Sequence, residues 1–145
     1  MPKQIAKVDA ATPAGSIHKR TGLPDDLMRF SFRHYTSCDK FSLPAGKDLA
    51  AYLPHLLERL KCLSSMRLSE FVSNHDKALR IHVLRWEQTT EHDGFAHLNE
   101  QMRECQPFQF CVSANEYGRV HGVLVDSVFY IVWLDPGHAL YAGKR

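Results

Sequence analysis

The residues of this chain that could carry chemistry gather toward its C-terminal end. Arg119 and His121 stand two apart in Arg119-Val-His, Tyr130 lies in the next apolar run, and His138, Tyr141, Lys144 and Arg145 follow it. A guanidinium grips phosphate through paired N–H donors. A histidine, with an ordinary pKa near 6.5, takes up and returns a proton near neutral pH. Together they suit cleavage of RNA without a metal: Arg119 holds the phosphate, and His121 or His138 takes the proton of a ribose 2′-OH and returns one to the leaving 5′-oxygen. The chain has nine histidines in 145 residues. His18, His34, His55, His75, His92 and His97 stand alone in surface-type sequence; His82, His121 and His138 do not.

Other chemistries lack their residue patterns. There is no His-Glu-x-x-His, and His92 and His97 are five apart, a poor pair on a helix. Cys38, Cys62, Cys105 and Cys111 are scattered without a C-x-x-C pair, unlike a zinc knuckle or a redox motif. Neither a metal nor a cofactor is expected. Cys111, in the apolar run Phe108-Gln-Phe-Cys-Val, reads as a core thiol. Lys and Arg total 18 against 16 Asp and Glu, a formal net charge of +2, so the chain is not a polybasic nucleic-acid binder by charge alone. No run approaches the ~18 apolar residues of a membrane span, and the N-terminus lacks the apolar core of a secretory signal. A soluble cytoplasmic protein with no membrane partner is expected.

The elements that must position these residues follow from periodicity. Residues 1–26, with Pro2, Pro13, Gly15, Gly22 and Pro24 and several Lys and Arg, have no helix or strand period and read as a mobile arm. Residues 27–145 read as one domain. Phe30 and Phe32 alternate with Arg29, Ser31 and Arg33, the pattern of a half-buried strand. From Lys47, a stripe of Leu49, Tyr52, Leu53, Leu56, Leu57, Leu60 and Leu63 predicts an amphipathic helix, which Pro54 kinks or restarts. A short helix follows Ser65, then a strand over 78–86, a polar segment with a short helix over 95–105, and strands over 108–113, 119–125 and 128–134. Asp126-Ser127 is a two-residue hairpin turn. The expected fold is α+β: an antiparallel four-to-five-stranded sheet covered on one face by helices, with a flexible N-terminal arm.

Period-two alternation then divides the side chains between faces. Val120, Gly122, Leu124, Phe129, Ile131 and Trp133 are expected on the core face with Phe108, Phe110, Val112, Ile81, Val83, Phe30 and Phe32. The opposite, solvated face receives Arg119, His121, Tyr130, Gln109, Ser113, His82 and Trp86. Tyr130 and Trp86 offer flat faces on which unstacked bases can stack. Lys144 and Arg145 add positive charge at the rim.

The succession of a helix, Phe108-Gln-Phe-Cys-Val-Ser, Glu116-Tyr-Gly-Arg-Val-His-Gly-Val-Leu-Val and Asp126-Ser-Val-Phe-Tyr-Ile-Val-Trp-Leu resembles the C-terminal half of RelE/ParE-type bacterial toxins. There, a basic strand carrying Tyr and Arg precedes an acidic turn, an apolar strand and a terminal cluster of His, Lys, Arg and Tyr. RelE members cleave messenger RNA, typically on the ribosome, and are silenced by an antitoxin; ParE members act on DNA gyrase. The resemblance implies that Arg119 binds phosphate and that His138 and Tyr141 are catalytic or contact substrate. The expected function is a metal-independent endoribonuclease toxin of the toxin–antitoxin or phage-defence type. Its catalytic candidates are Arg119, His121, His138, His82 and Tyr141, and its substrate-binding candidates are Tyr130, Trp86, Lys144 and Arg145. Its partners would be RNA or the ribosome, with an antitoxin. The alternative is a non-enzymatic interaction or inhibitor protein, phage- or plasmid-borne, that binds a partner protein through its sheet face, with Trp133, Tyr130 and apolar residues near Leu140 as the docking surface.

Overall fold

A computed structural model describes residues 24–141. The expected arm lies outside the described residues except for its last three, and these belong to the fold. Arg67 ion-pairs with Asp26 at 2.8 Å, the Leu68 amide donates to the Asp26 carbonyl, and the Arg29 guanidinium donates to the Asp25 carbonyl and to Ser127 Oγ.

Five strands form one sheet: β1 (Arg29–Ser31), β2 (His82–Val83), β3 (Gln106–Cys111), β4 (Arg119–Val125) and β5 (Val128–Asp135), in the spatial order β1-β5-β4-β3-β2. The sheet is antiparallel except at one edge, where β1 runs parallel to β5 with Phe30 opposite Phe129. Parallel neighbours need a crossover of a dozen residues or more. Here the chain between β1 and β5 includes α1 (Gly46–Ser64), α2 (Leu68–Val72), α3 (Glu100–Arg103) and the other three strands. The β4–β5 hairpin closes through Asp126-Ser127 as expected, with Asp126 at φ +54°.

Helix α1 covers one face of the sheet. Tyr52, Leu56 and Leu63 are its buried residues, and they join Phe71, Phe108, Phe110, Val120, Phe129 and Ile131 in the larger core. The stripe is narrower than its leucines suggest, since Leu57 is 63% exposed. Pro54 lies inside this single helix and restarts none, leaving the Ala50 carbonyl without its i+4 donor. The second short helix begins at Leu68 and not at Ser65, with the Arg67 amide donating to Glu70 Oε1. The strand expected over 78–86 shortens to two residues because Arg80 turns at φ +52°. The helix expected over 95–105 shortens to Glu100–Arg103, started by Asn99, whose side chain accepts from the Met102 amide.

The other sheet face differs most from expectation. It is no solvated face but a second core of Phe41, Leu84, Phe95, Val123, Val132, Trp133 and Leu140, with Trp86 and Leu98 packed against it. A bulge explains how Trp133 reaches it. Gly122 pairs with Ile131 and His121 with Trp133, so Val132 is an extra residue on β5. Beyond that point the alternation slips by one. Phe129 and Ile131 face α1, whereas Trp133 crosses to the second core and stacks on Phe41 at 4.5 Å.

Glycine at two positions permits this hairpin. A Cβ on Gly122 would lie 2.2 Å from the Tyr130 carbonyl oxygen, and one on Gly118, at φ +67°, would lie 1.9 Å from the Asp135 carbonyl oxygen. Gly122→Ala and Gly118→Ala should each cost about 2–4 kcal/mol in urea unfolding. Gly137→Ala, whose Cβ would meet nothing within 4 Å, should change stability by less than about 0.5 kcal/mol. Equal midpoints for all three would contradict the close approach described here.

Candidate functional site

A cleft of about 890 Å³ is lined by residues of the β2–β3 edge, the β3–β4 connection, the first residue of β4 and the turn after β5. Arg80, His82, Gln109, Arg119, His138 and Tyr141 all line it. Backbone geometry puts them there. His82 lies directly opposite Gln109, and Gln109 opposite His121, so the three share a sheet face in adjacent strands. Arg119 opens β4 just after the Gly118 turn.

The turn after β5 is held by the side chain of Asp135. Its Oδ1 accepts from the Ala139 amide at 2.7 Å, and its Oδ2 accepts from the Leu140 amide at 3.0 Å and from His121 Nε2 at 2.9 Å. His138 sits in this turn at φ +54°, its amide donating to the Asp135 carbonyl. Tyr141 follows, its hydroxyl accepting from the Arg85 amide at 3.3 Å.

The cleft is cationic. Arg80, Arg85 and Arg119 contribute to its lining against one acid, Glu116. Among the described residues, neither Arg80 nor Arg119 lies within salt-bridge distance of a carboxylate. Arg119 donates a side-chain hydrogen bond to the neighbouring Gly118 carbonyl at 3.3 Å. Both arginines bury an Nε that has no partner among the described residues, and Gln109 buries an Oε1 in the same condition. Burial lowers the Arg119 pKa, with Arg80 adding to the effect. Burial first, then the charges of Arg80 and Arg119 and the nearby His75, push the His82 pKa below its ordinary value. His82 is therefore a neutral imidazole at pH 7, able to accept a proton.

Of the sequence-selected residues, the fold brings Arg119, His82, His138 and Tyr141 to this one cleft. It does not bring His121, which is fully buried with Phe41 edge-on at 6.2 Å. Burial pulls the His121 pKa down, against the opposing hydrogen bond from Asp135. Burial alone would raise the Asp135 pKa, but the His121 bond and the two backbone amides outweigh it and lower it. The pair is thus a neutral imidazole donating Nε2–H to a carboxylate. Trp86, expected as a stacking platform, is partly buried and packs edge-on to Phe95 at 4.8 Å and Trp133 at 6.3 Å against the second core. Tyr130 lies away from the cleft, beside His34 at 5.4 Å. Lys144 and Arg145 lie outside the described residues.

Sequence reading overlooked Arg80, Arg85 and Asp135 as participants. Arg80 and His82 are spaced two apart, the same alternation that selected Arg119 and His121, and could have been found by it. Asp135 precedes Pro136-Gly137 and reads as a turn residue, with no local trace of its partner fourteen residues earlier. Among the described residues, no three His, Cys, Asp or Glu side chains gather to hold a metal ion. No protein-family model matches this chain, and no curated protein or solved structure matches it.

The buried pair sets a pH dependence of stability. His121 and Asp135, both with folded pKa values below the unfolded ones, bind fewer protons folded than unfolded. Stability is therefore full above about pH 6.5, falls as His121 resists protonation below that, and falls again below about pH 4. His82 and His97 are shifted in the same sense, so the readout is a difference between proteins. In urea titrations from pH 8 to 4, His121→Asn should flatten the loss between pH 6.5 and 5. Asp135→Ala, which strands three donors, should cost about 3 kcal/mol or more at pH 7. An unchanged pH slope in His121→Asn would show that the pair does not carry it.

Proposed function

We propose that this chain binds RNA in the cleft and cleaves it without a metal. The observation that carries this reading is the convergence of Arg80 and Arg119, without carboxylate partners among the described residues, on His82 and His138. Buried guanidinium N–H groups without acceptors suit phosphate oxygens. The near-neutral net charge of +2 is no obstacle, because the positive charge is local.

In the proposed reaction the two arginines hold a phosphodiester. His82, kept neutral by burial and its cationic neighbours, takes the 2′-OH proton as that oxygen attacks phosphorus. The bond from phosphorus to the 5′-oxygen breaks, and His138 donates a proton to the leaving oxygen. The products are a 2′,3′-cyclic phosphate and a 5′-hydroxyl. This reassigns to His82 and His138 the work that the spacing of Arg119-Val-His suggested for His121, and leaves Tyr141 as a wall of the cleft. The order of α1, β3 and the last hairpin is the one on which the resemblance to RelE/ParE-type toxins rests, and it supports an antitoxin as protein partner. Of the alternative docking surface, Trp133 is 6% exposed and Leu140 is fully buried, whereas Tyr130 stays partly exposed.

The test is incubation of the protein with RNA, alone and with translating ribosomes, in EDTA and in magnesium. Expected are fragments with 2′,3′-cyclic phosphate ends in both salts. Arg80→Ala and Arg119→Ala should each weaken RNA binding by about 1.5–3 kcal/mol, roughly ten- to hundredfold. His82→Ala and His138→Ala should lower the cleavage rate by about 10²–10⁴ with little change in binding. Intact RNA under all four conditions sinks the nuclease reading.

A further inference from the structure

We propose that Gln109 makes the cleft a nucleotide site and not a plain anion site, its side-chain carbonyl accepting a hydrogen bond from a donor that the ligand carries beside its phosphate. This inference rests on the phosphate-binding reading above and adds to it the part of the ligand that is not phosphate.

Gln109 lines the cleft and is only 7% exposed, and its Oε1 has no hydrogen-bond partner. A buried amide oxygen left without a donor is costly and uncommon in a folded protein. Its cross-strand neighbours do not relieve it. On one side stands His121, whose single proton is committed through Nε2 to Asp135, leaving an Nδ1 that is itself an acceptor without a partner. On the other side stands His82, exposed at the β2 edge and making no hydrogen bond to Gln109.

The unmet groups of the cleft therefore differ in kind. Nε of Arg80 and of Arg119 are donors, whereas Oε1 of Gln109 is an acceptor. Sulfate or a fully ionised phosphodiester offers acceptors only, which would satisfy the arginines and leave the amide oxygen unmet. A ligand that satisfies both carries an O–H or N–H close to its phosphate. A nucleotide offers such donors in the N–H groups of its base, whereas the single 2′-hydroxyl proton is the one that His82 takes in the proposed reaction. A free sugar or a base without phosphate would leave the arginines unmet.

Mononucleotides separate these contributions without being cleaved. Adenosine 3′-phosphate, its 2′-deoxy counterpart, base-free ribose 3-phosphate and sulfate are titrated into the full-length protein at pH 7, followed by backbone amide NMR. Adenosine 3′-phosphate should bind at least about tenfold more tightly than sulfate, a difference of about 1.4 kcal/mol. The base-free compound should fall to the level of sulfate, and the 2′-deoxy compound should not. Gln109→Met should bring adenosine 3′-phosphate to that level while sulfate binds as before. Should that variant not fold, the ligand series on the natural protein decides alone. Equal binding of all four ligands, all weakened by Arg119→Ala, overturns this proposal and leaves the phosphate reading standing. No binding of any of them overturns both.

Discussion

The structure hangs on one carboxylate. Asp135 ends β5 and gathers three donors, the His121 imidazole and the amides of Ala139 and Leu140, in a place from which water is excluded. A buried charge is tolerated only when its lone pairs are met, so the turn from Pro136 to Leu140 has little freedom to move away. Through that turn the carboxylate seats Leu140 in the second core and carries His138 and Tyr141 to the cleft. Neither the second core nor the cleft wall would keep its shape without it. His121, which sequence spacing offered as catalytic, belongs to the scaffold behind the wall of the cleft.

The cleft inverts that logic. Around Asp135 every polar atom of the carboxylate is answered, whereas Arg80, Arg119 and Gln109 hold atoms that are not. Two guanidinium groups brought together with no carboxylate at salt-bridge distance among the described residues raise the energy of the site, and an anion arriving there lowers it. Desolvation first, and after it the same arginines, lower the His82 pKa.

The legible part of the fold was the part governed by local period. The hairpin turn at Asp126-Ser127, the long helix and the three C-terminal strands all follow from alternation or three-and-four spacing. The parallel placement of β1 beside β5 depends on contacts about a hundred residues apart, for which no local pattern exists. Face assignment failed at Val132, because an inserted residue shifts the side chains beyond it to the other face and carries Trp133 away from α1. It failed also at Phe32 and Val83, expected in the core but exposed at the ends of short edge strands. The opposite face looked open to water because Phe41, Phe95 and Leu140, which cover it, come from segments outside the strands. Of the candidate site, Arg119, His82, His138 and Tyr141 were legible from residue type and position. Arg80 was hidden by its turn at φ +52°, and Asp135 by a partner that only the paired hairpin brings near.

The order of strands carries a further consequence for how the molecule comes into being. β5 sits between β4 and the N-terminal β1, so the earliest strand has no neighbour until nearly the whole domain has been made. Local helix formation can run ahead during synthesis, but loop closure between β1 and β5 spans almost the full chain and comes late. Arg80 and His82 emerge long before His138, which cannot face them until Asp135 has its partners. A growing chain therefore presents no assembled cleft until β5 and the turn after it have been made.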